Sequence, residues 1–491
     1  GKAAARPDET EQRGAPDMNR EMKMDTTDGV RPLRYGAALA VTLLLTVGLT
    51  GCEEGLLEVD DPDVVTPDAL QGPSAVPTRI NGLVGDFQEA FDDYVLYTSL
   101  FTDEMILAGT FPTRIDVDER NVKQDISNGS ITSDVYEPLH VTRASADTAA
   151  AIFQAALDDE DFSEVKGQLR DGIALAKLYG GYDRIFFSEL FCQSIFGGPD
   201  GESAPVGSDA RMEEALSMLQ EAESAASEAG LSSVATAAQV GQARALIWLG
   251  RYQEAASAVS DVPDDFVYFS EYSSNTTAQW NEVYGLTNGD QFALRWTVGD
   301  GSADNRHNER WPYFEEWVDQ GLIDPETNLE AAEIGVPVVL QLLYTDPADN
   351  IVLASGWEAR MIEAEAMLRN GQAQAAQELV NRLLSSPGLN PMTKVNPALN
   401  DGEAPDMGAF DPVDFTDGGG FVAEDDLPEL ARARSAGLWL SGQRQGTFRR
   451  FLEQDGVNLY PEGTQGDDTS FPVQKQELDN NPNISSACPA G

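Results

Sequence analysis

Aromatic residues cluster in one part of the sequence, between residues 261 and 324, where asparagine and aspartate stand among them. Flat aromatic faces beside amide and carboxylate groups are the chemistry that binds a sugar ring or a peptide. Aromatic residues in long loops also pack into small satellite cores, and the sequence leaves both interpretations open for each residue. The candidate ligand-binding residues are Trp280, Trp296, Trp311, Trp317 and Tyr313.

Residues that support catalysis or metal binding are scarce or lack the usual spacing. The two histidines, His140 and His307, are far apart in sequence, so they cannot form a helical H-E-x-x-H zinc site. The sequence also lacks a phosphate loop, a G-x-S-x-G nucleophile motif and a dinucleotide-binding G-x-G-x-x-G motif. We therefore expect no catalytic residue, no metal site and no cofactor, although the many carboxylates leave a glycoside hydrolase open.

The charge of the chain is strongly one-sided. Its 83 acidic residues against 32 basic residues give a net charge of -51, which excludes nucleic-acid binding through bulk positive charge. The acidic residues are spread through nearly every segment, and molar salt would screen their mutual repulsion. This favours a solvated surface adapted to a saline environment over an acidic patch for cations or a basic partner.

The N-terminal part predicts a lipid anchor. After Arg31 and Arg34, residues 35–49 form an apolar stretch of about signal-peptide length, and small residues then precede Cys52. This pattern is typical of bacterial lipoproteins, in which the cysteine is acylated and becomes the new N-terminus. A transmembrane anchor is the alternative, but it needs about 20 uninterrupted apolar residues. Residues 1–51 are thus interpreted as an extension and a signal peptide that are removed, and Cys52 as the lipidation site.

Two cysteines remain for the body of the protein. A lipoprotein works outside the cytoplasm, where disulfides persist. Cys192 and Cys488 are the pair left once Cys52 carries lipid, so we predict a disulfide that ties the C-terminal tail to the body. Two separate buried thiols are the alternative.

Helical patterns dominate residues 52–491. Residues 240–256 read as a helix, a turn at Gly250 and a second helix from Tyr252, and residues 358–376 repeat this pattern with a turn at Gly371. Small residues at the crossing of two helices are typical of tetratricopeptide-type hairpins. Further helices are predicted over residues 142–157, 168–182 and 212–229. The fold class is therefore mainly α, with such hairpins packed in one compact domain and long irregular insertions at residues 261–324 and 385–426.

These features together resemble the RagB/SusD family of nutrient-uptake lipoproteins. The resemblance runs from the acidic and apolar residues 57–68, through the helix at residues 136–146, to the closing segments at residues 460–463 and 471–483. Its most specific block is residues 429–451, which are similar to the helix of the family that carries an LWLEG-like sequence. Gly442-Gln443-Arg444 departs from the usual Gly-His/Lys-Arg of that block. Ligand residues vary between members of the family, so the resemblance does not identify them in this chain.

The resemblance implies a function. It implies a SusD-like α-helical domain over residues 52–491, anchored by lipid in the outer membrane, where Glu53 and Glu54 after the lipidated cysteine are compatible with export to the surface. Such a protein captures an oligosaccharide or peptide without breaking a bond and passes it to a SusC-like TonB-dependent transporter. A helical surface scaffold that binds another protein and a lipoprotein glycoside hydrolase are the alternatives.

Arginines concentrate in the most specific block, which is unusual in so acidic a chain. We expect them to form ion pairs with buried carboxylates and so pin the C-terminal segments to the helical body. The residues are Arg432, Arg434, Arg444, Arg449 and Arg450.

Overall fold

The computed structural model describes most of the chain after residue 69. The described residues are 70–107, 111–123, 129–197, 203–288, 292–295, 323–330, 337–395, 410–415, 421–461, 464–484 and 488. They belong to one compact unit, Thr66–Gly491.

Helices make up most of the described structure, which confirms the mainly α prediction. One-turn helical segments lie at Pro73–Ala75, Gly129–Ile131, Thr132–Tyr136, Glu160–Val165, Thr277–Gln279, Pro387–Leu389 and Met392–Val395. The longer helices are α1 Val76–Phe101, α2 Pro112–Asp118, α3 Glu137–Ala156, α4 Lys166–Leu190, α5 Ser208–Ala229, α6 Ser232–Trp248, α7 Tyr252–Val259, α8 Glu282–Asn288, α9 Gly356–Arg369, α10 Ala373–Leu384, α11 Ala423–Leu438, α12 Arg444–Asp455 and α13 Lys475–Asn480.

The helices pack as sequential antiparallel pairs. The predicted hairpins are present as α6 with α7 and α9 with α10, and the turns use Gly250 and Gly371 with φ of 70° and 75°. Helix α5 packs between α4 and α6. Its close approach to α4 depends on Gly180, where a Cβ atom would lie 2.5 Å from the Met218 side chain. The hairpins thus bury one another, as the sequence pattern indicates.

Helix α1 is held against α4 by stacked aromatic rings. The ring centroids of Phe87 and Tyr179 are 4.3 Å apart, and those of Tyr94 and Phe186 are 4.2 Å apart. Aromatic pairs of this kind add to the free energy gained by burying their area. The second half of α1 is therefore a rigid, almost fully buried element.

Short antiparallel sheets accompany the helices. The strands are β1 Ile106–Leu107, β2 Gln193–Ser194, β3 Val206–Gly207, β4 Val267–Ser270, β5 Phe292–Arg295, β6 Ile323–Glu330, β7 Pro337–Gln341 and β8 Ile351–Ser355. One sheet has the order β1-β5-β7-β6, and β2 pairs with β3 and β4 with β8. Strand β4 pairs along β8 with a shift in register between Tyr268 and Phe269.

The segment at residues 429–451 differs from the single helix that the resemblance implies. Helix α11 ends at Leu438, and α12 begins at Arg444. Between them Leu440 has φ of 52° and Gly442 has φ of 73°, and a right-handed helix cannot continue through such residues. The Tyr344 hydroxyl donates a hydrogen bond to the Leu440 carbonyl at 2.9 Å, which fixes the turn.

Two arginines of this segment, Arg434 and Arg450, form the expected ion pairs with a buried carboxylate. Arg450 donates to the buried Glu365 carboxylate, with Nη2 2.7 Å from Oε2. Arg449 donates to the backbone carbonyls of Ser188 and Phe191 at the end of α4, at 2.9 and 2.8 Å. The C-terminal helices are thereby joined to both α9 and α4, which confirms the prediction that these arginines pin the C-terminal segments.

Candidate functional site

A cavity of about 270 Å³ lies between α1, α2 and the start of α8, and it contains Trp280. Its lining combines one large aromatic ring, one guanidinium group and several carboxylates. The lining residues are Glu89, Asp92, Asp93, Arg114, Asp134, Thr277, Ala278, Trp280, Glu282 and Leu286.

The buried carboxylate of Asp92 joins α1 to the segment that carries Trp280. One of its oxygens accepts a hydrogen bond from the backbone N–H of Glu282 at 3.0 Å, at the first residue of α8. Asn281 is fully buried and donates to the Asp349 carbonyl at 2.8 Å, while its own backbone N–H donates to the Pro347 carbonyl. Trp280 is thus followed directly by two anchored residues, so its position is set by the core.

Arg114 forms the opposite wall of the cavity. Its Nε donates to the Tyr97 hydroxyl at 3.2 Å, and its Nη2 lies 3.4 Å from Asp134. Its guanidinium group lies 5.0 Å from the ring centroid of Phe111, a ring that is 50% exposed. The Phe111 ring lies beside Arg114 but is not one of the residues that line the cavity.

Burial is the main cause of the pKa shifts of Asp92 and Asp93, which line the cavity. It raises the pKa of Asp92, although the N–H groups of Glu282 and Asp93 favour the ionised form. Burial also raises the pKa of Asp93, and the neighbouring carboxylates of Asp92, Asp134 and Glu282 add to that shift. These groups can accept hydrogen bonds when ionised and donate one when protonated, which suits a ligand that carries hydroxyl groups.

Of the sequence-predicted ligand residues, the structure describes only Trp280. Trp296, Trp311, Tyr313 and Trp317 lie outside the described residues, as does the predicted lipidation site Cys52. Elsewhere in the aromatic-rich insertion Tyr272 is buried, and its hydroxyl donates to the Gln88 carbonyl at 3.0 Å. Tyr272 therefore packs in the main hydrophobic core, and neither a ligand site nor a satellite core describes it.

Cys192 and Cys488 form a disulfide in the structure, with their Cα atoms 5.6 Å apart. The bond joins the end of α4 to the C-terminal tail. Close by, a small separate cluster of Ile195, Val473 and Ile484 covers the same part of the body.

Other site types find little support in the described part of the chain. No group of three or more histidine, cysteine or carboxylate residues there could hold a metal ion. No described helix is both long and apolar enough to cross a membrane. A second, wider concavity of about 930 Å³ lies at the start of α11, where carboxylates such as Asp425 and Glu429 surround Arg432. Its described lining contains no aromatic ring, so it is a weaker candidate for binding sugars.

Sequence reasoning missed most of the cavity. Asp92, Asp93, Tyr97, Arg114 and Asp134 come from three separate elements, and their meeting depends on the tertiary fold. One signal was available, because adjacent aspartates at positions 92 and 93 interrupt an otherwise apolar run in α1. Buried carboxylates in such a run mark either a structural hydrogen bond or a site, and here Asp92 does both.

Comparison with solved structures identifies the fold of this chain, whereas comparison by sequence finds no match. No protein-family model matches the sequence, and no curated protein matches it either. Solved structures of SusD superfamily proteins do match. A SusD superfamily protein from Bacteroides vulgatus superimposes with a TM-score of 0.59 at 13% identity, over 86% of this chain and 100% of its own.

Two further structural neighbours have names that include a ligand class. Surface glycan-binding protein A from Bacteroides uniformis matches with a TM-score of 0.51 at 11% identity, over 84% of this chain and 99% of its own. A protein described as a laminarin-binding SusD-like protein matches with a TM-score of 0.51 at 13% identity, over 86% of this chain and 100% of its own. The chain therefore has the SusD-like helical fold.

Proposed function

We propose that this protein is a non-catalytic, lipid-anchored binding protein of the outer membrane that captures an oligosaccharide in the Trp280 cavity. The observation that carries the proposal is the combination, in one cavity, of an aromatic ring, a guanidinium group and carboxylates. A sugar ring offers an apolar face for stacking and hydroxyl groups at its edge, and the cavity provides partners for both.

The fold and the N-terminal sequence support the same function. The structural neighbours include a protein named as a surface glycan-binding protein and one described as a laminarin-binding SusD-like protein. The apolar stretch before Cys52 is typical of a lipoprotein signal, which would hold the mature protein on a membrane surface. An oligopeptide is the other ligand class that the family resemblance allows.

Capture alone does not move a nutrient across a membrane. We therefore extend the proposal to a SusC-like TonB-dependent transporter, on which this protein would act as a lid that opens and closes. Ligand binding would shift that equilibrium only as far as the ligand binds the two states differently.

The test is calorimetric titration of the mature protein with a panel of oligosaccharides and short peptides, beginning with laminarin oligosaccharides. We expect a glycan to bind, and Trp280→Ala to weaken its affinity at least about tenfold, or about 1.4 kcal/mol, because the stacking face is lost. Val141→Ala is the matched control, because Val141 is an exposed apolar residue on α3, outside the cavity.

The proposal fails if no panel member binds, or if Trp280→Ala binds the glycan as well as the unchanged protein does. Turnover of the bound glycan would favour the glycoside hydrolase instead. For the transporter, an outer-membrane barrel should co-purify with the protein after solubilisation of the membrane, and recovery of another surface protein alone would favour the scaffold alternative.

A further inference from the structure

A second, much smaller cavity lies in the centre of the helical body, away from the Trp280 site. It has a volume of about 20 Å³ and lies between α4, α6, α9, α11 and α12. Three guanidinium groups line it, from Arg244, Arg434 and Arg450, together with the carboxylates of Glu189 and Glu358. A cavity of this size can hold one water-sized particle or one small ion.

Arg434 is the group that points to a ligand. It is 92% buried, since only 8% of it is exposed, and its Nη1 donates to the Thr447 hydroxyl at 3.2 Å. Neither its Nε nor its Nη2 donates a hydrogen bond to any described residue. Nη2 lies 3.5 Å from Glu365, which is an ion-pair distance without the geometry of a hydrogen bond. A buried guanidinium group with unpaired donors is costly unless something accepts from them.

The neighbouring carboxylates are already engaged by other arginines. Glu189 accepts from Nε of Arg244 at 2.8 Å and from the Tyr94 hydroxyl at 2.7 Å. Glu365 accepts from Arg450 at 2.7 Å and from Arg369 at 3.0 Å. These carboxylates therefore have few free lone pairs with which to accept hydrogen bonds from Arg434.

Glu358 decides the net charge of the cavity. The groups that face it are Arg244 of α6, Arg434 of α11, Glu189 of α4 and the Gln443 amide, which donates to it at 2.9 Å. Burial raises the pKa of Glu358 to about 7, although Arg244 and Arg434 oppose the shift. When Glu358 is protonated, the three guanidinium groups are balanced by only two carboxylates, those of Glu189 and Glu365, so an excess positive charge remains.

We propose that this cavity binds a single small monovalent anion of the halide class, which accepts hydrogen bonds from the unsatisfied donors of Arg434. Arg434 also lines a neighbouring cavity of about 10 Å³. Apolar walls from Ile247 and Ile362 complete the site, and the cavity is too small for sulfate or phosphate. In a saline environment chloride is the halide available to fill this cavity. The cavity binds the anion when Glu358 is protonated and releases it when Glu358 is ionised, because either one supplies the negative charge that balances the arginines.

The direct test is a crystal of the mature protein soaked in sodium bromide and measured at the bromine absorption edge. An anomalous peak beside the Arg434 guanidinium supports the site. If no anomalous peak appears and the cavity has density for a water molecule only, the proposal is overturned.

Thermal unfolding provides the solution test, in mixtures of sodium chloride and sodium methanesulfonate at constant ionic strength. We expect saturable stabilisation by chloride, because a ligand of the native state shifts the unfolding midpoint. Glu358→Gln should bind chloride at least about threefold more tightly, and Arg434→Gln at least about tenfold more weakly. Arg432→Gln, which changes a partly buried arginine of the same helix that pairs with Glu429 outside this cavity, should bind chloride as tightly as the unchanged protein does.

If Arg434→Gln does not fold, Glu358→Gln alone still tests the proposal. Chloride affinity that is equal in Glu358→Gln and the unchanged protein contradicts the site, and so does stabilisation by methanesulfonate equal to that by chloride.

Discussion

Buried glutamates in the body differ in the sign of their pKa shifts, and their immediate partners explain the difference. For Glu365 burial alone would raise the pKa, but Arg450, Arg434 and Arg369 outweigh it and lower the pKa to about 2. For Glu104 the effect of burial is larger than the opposing effects of Arg444 and the Ser99 hydroxyl, so its pKa rises to about 7. At neutral pH Glu365 is therefore a fixed negative charge inside the protein, whereas Glu104 titrates.

Glu365→Ala should destabilise the fold by about 3 to 5 kcal/mol, because it leaves buried guanidinium groups without their shared counter-charge. Equilibrium unfolding by urea at constant salt measures the change. The control is Glu453→Ala, since Glu453 pairs with Arg449 at 2.7 Å but its side chain is 45% exposed. That variant should change the free energy of unfolding by less than about 1 kcal/mol. Equal effects of the two substitutions would contradict the central role of Glu365.

Glu104 should make stability fall as the pH rises. Its pKa is about 7 in the native protein and 4.5 in a free side chain, so the native state binds the proton more tightly between these values. The contribution of the protonated group is complete below about pH 4.5 and is lost as the pH approaches 7 and above. Glu104→Gln, which stays neutral, should reduce the loss of unfolding free energy between pH 5 and pH 8 by about 2 kcal/mol. Parallel pH profiles of the two proteins would refute this.

The break between α11 and α12 is the element that most shapes the C-terminal half. It lets Trp439 and Leu440 enter the core and turns α12 back so that Arg449 and Arg450 reach α4 and α9. An uninterrupted helix could not make both sets of contacts. Gly442, in this turn, combines φ of 73° with a close approach to Tyr94.

Gly442→Ala should destabilise the protein more than Gly456→Ala does. Both residues have φ of 73°, so both substitutions strain the backbone by about 1 to 2 kcal/mol. A Cβ atom at Gly442 would also lie 2.8 Å from the Tyr94 ring, whereas at Gly456 it would meet nothing within 4 Å. Overpacking adds about 1 to 3 kcal/mol at Gly442 alone, and urea unfolding of the two variants would measure that difference. Equal losses would show that Tyr94 moves aside without cost.

Local patterns explain why some of the structure was predictable. The hairpin turns at Gly250 and Gly371 follow from helical periodicity that ends at a glycine, which neighbouring residues determine. The positive φ of Leu440 and the meeting of Arg114 with Asp134 and Trp280 depend on contacts between distant segments. Non-glycine residues seldom adopt positive φ, so no pattern in the LWL sequence indicates it. The cavity was foreseen only through Trp280, whose role in binding stays a prediction.

The whole molecule carries its net charge of -51 on a mainly helical body, in which buried arginines such as Arg244 and Arg450 pair with buried carboxylates. The excess negative charge is thus borne mostly by residues at the surface. Repulsion among such charges extends over about 10 Å at 0.1 M salt and about 3 Å at 1 M. Stability should therefore depend on salt far more than in a protein with balanced charge.

We expect the midpoint of thermal unfolding to rise by at least about 5 °C between roughly 0.1 M and 2 M sodium chloride. The same series in sodium methanesulfonate separates screening from the proposed halide site, because screening does not depend on the identity of the anion. A midpoint that is constant or falls with both salts would contradict adaptation of the surface to saline conditions.

The bond between Cys192 and Cys488 spans 296 positions of the chain, more than half of the protein. A protease that severs one peptide bond anywhere inside this span leaves two fragments that are still covalently linked. Damage of this kind would not separate the two fragments, and it would become visible on a gel only after reduction. A protein with such a closed loop can survive a nick with its parts in place.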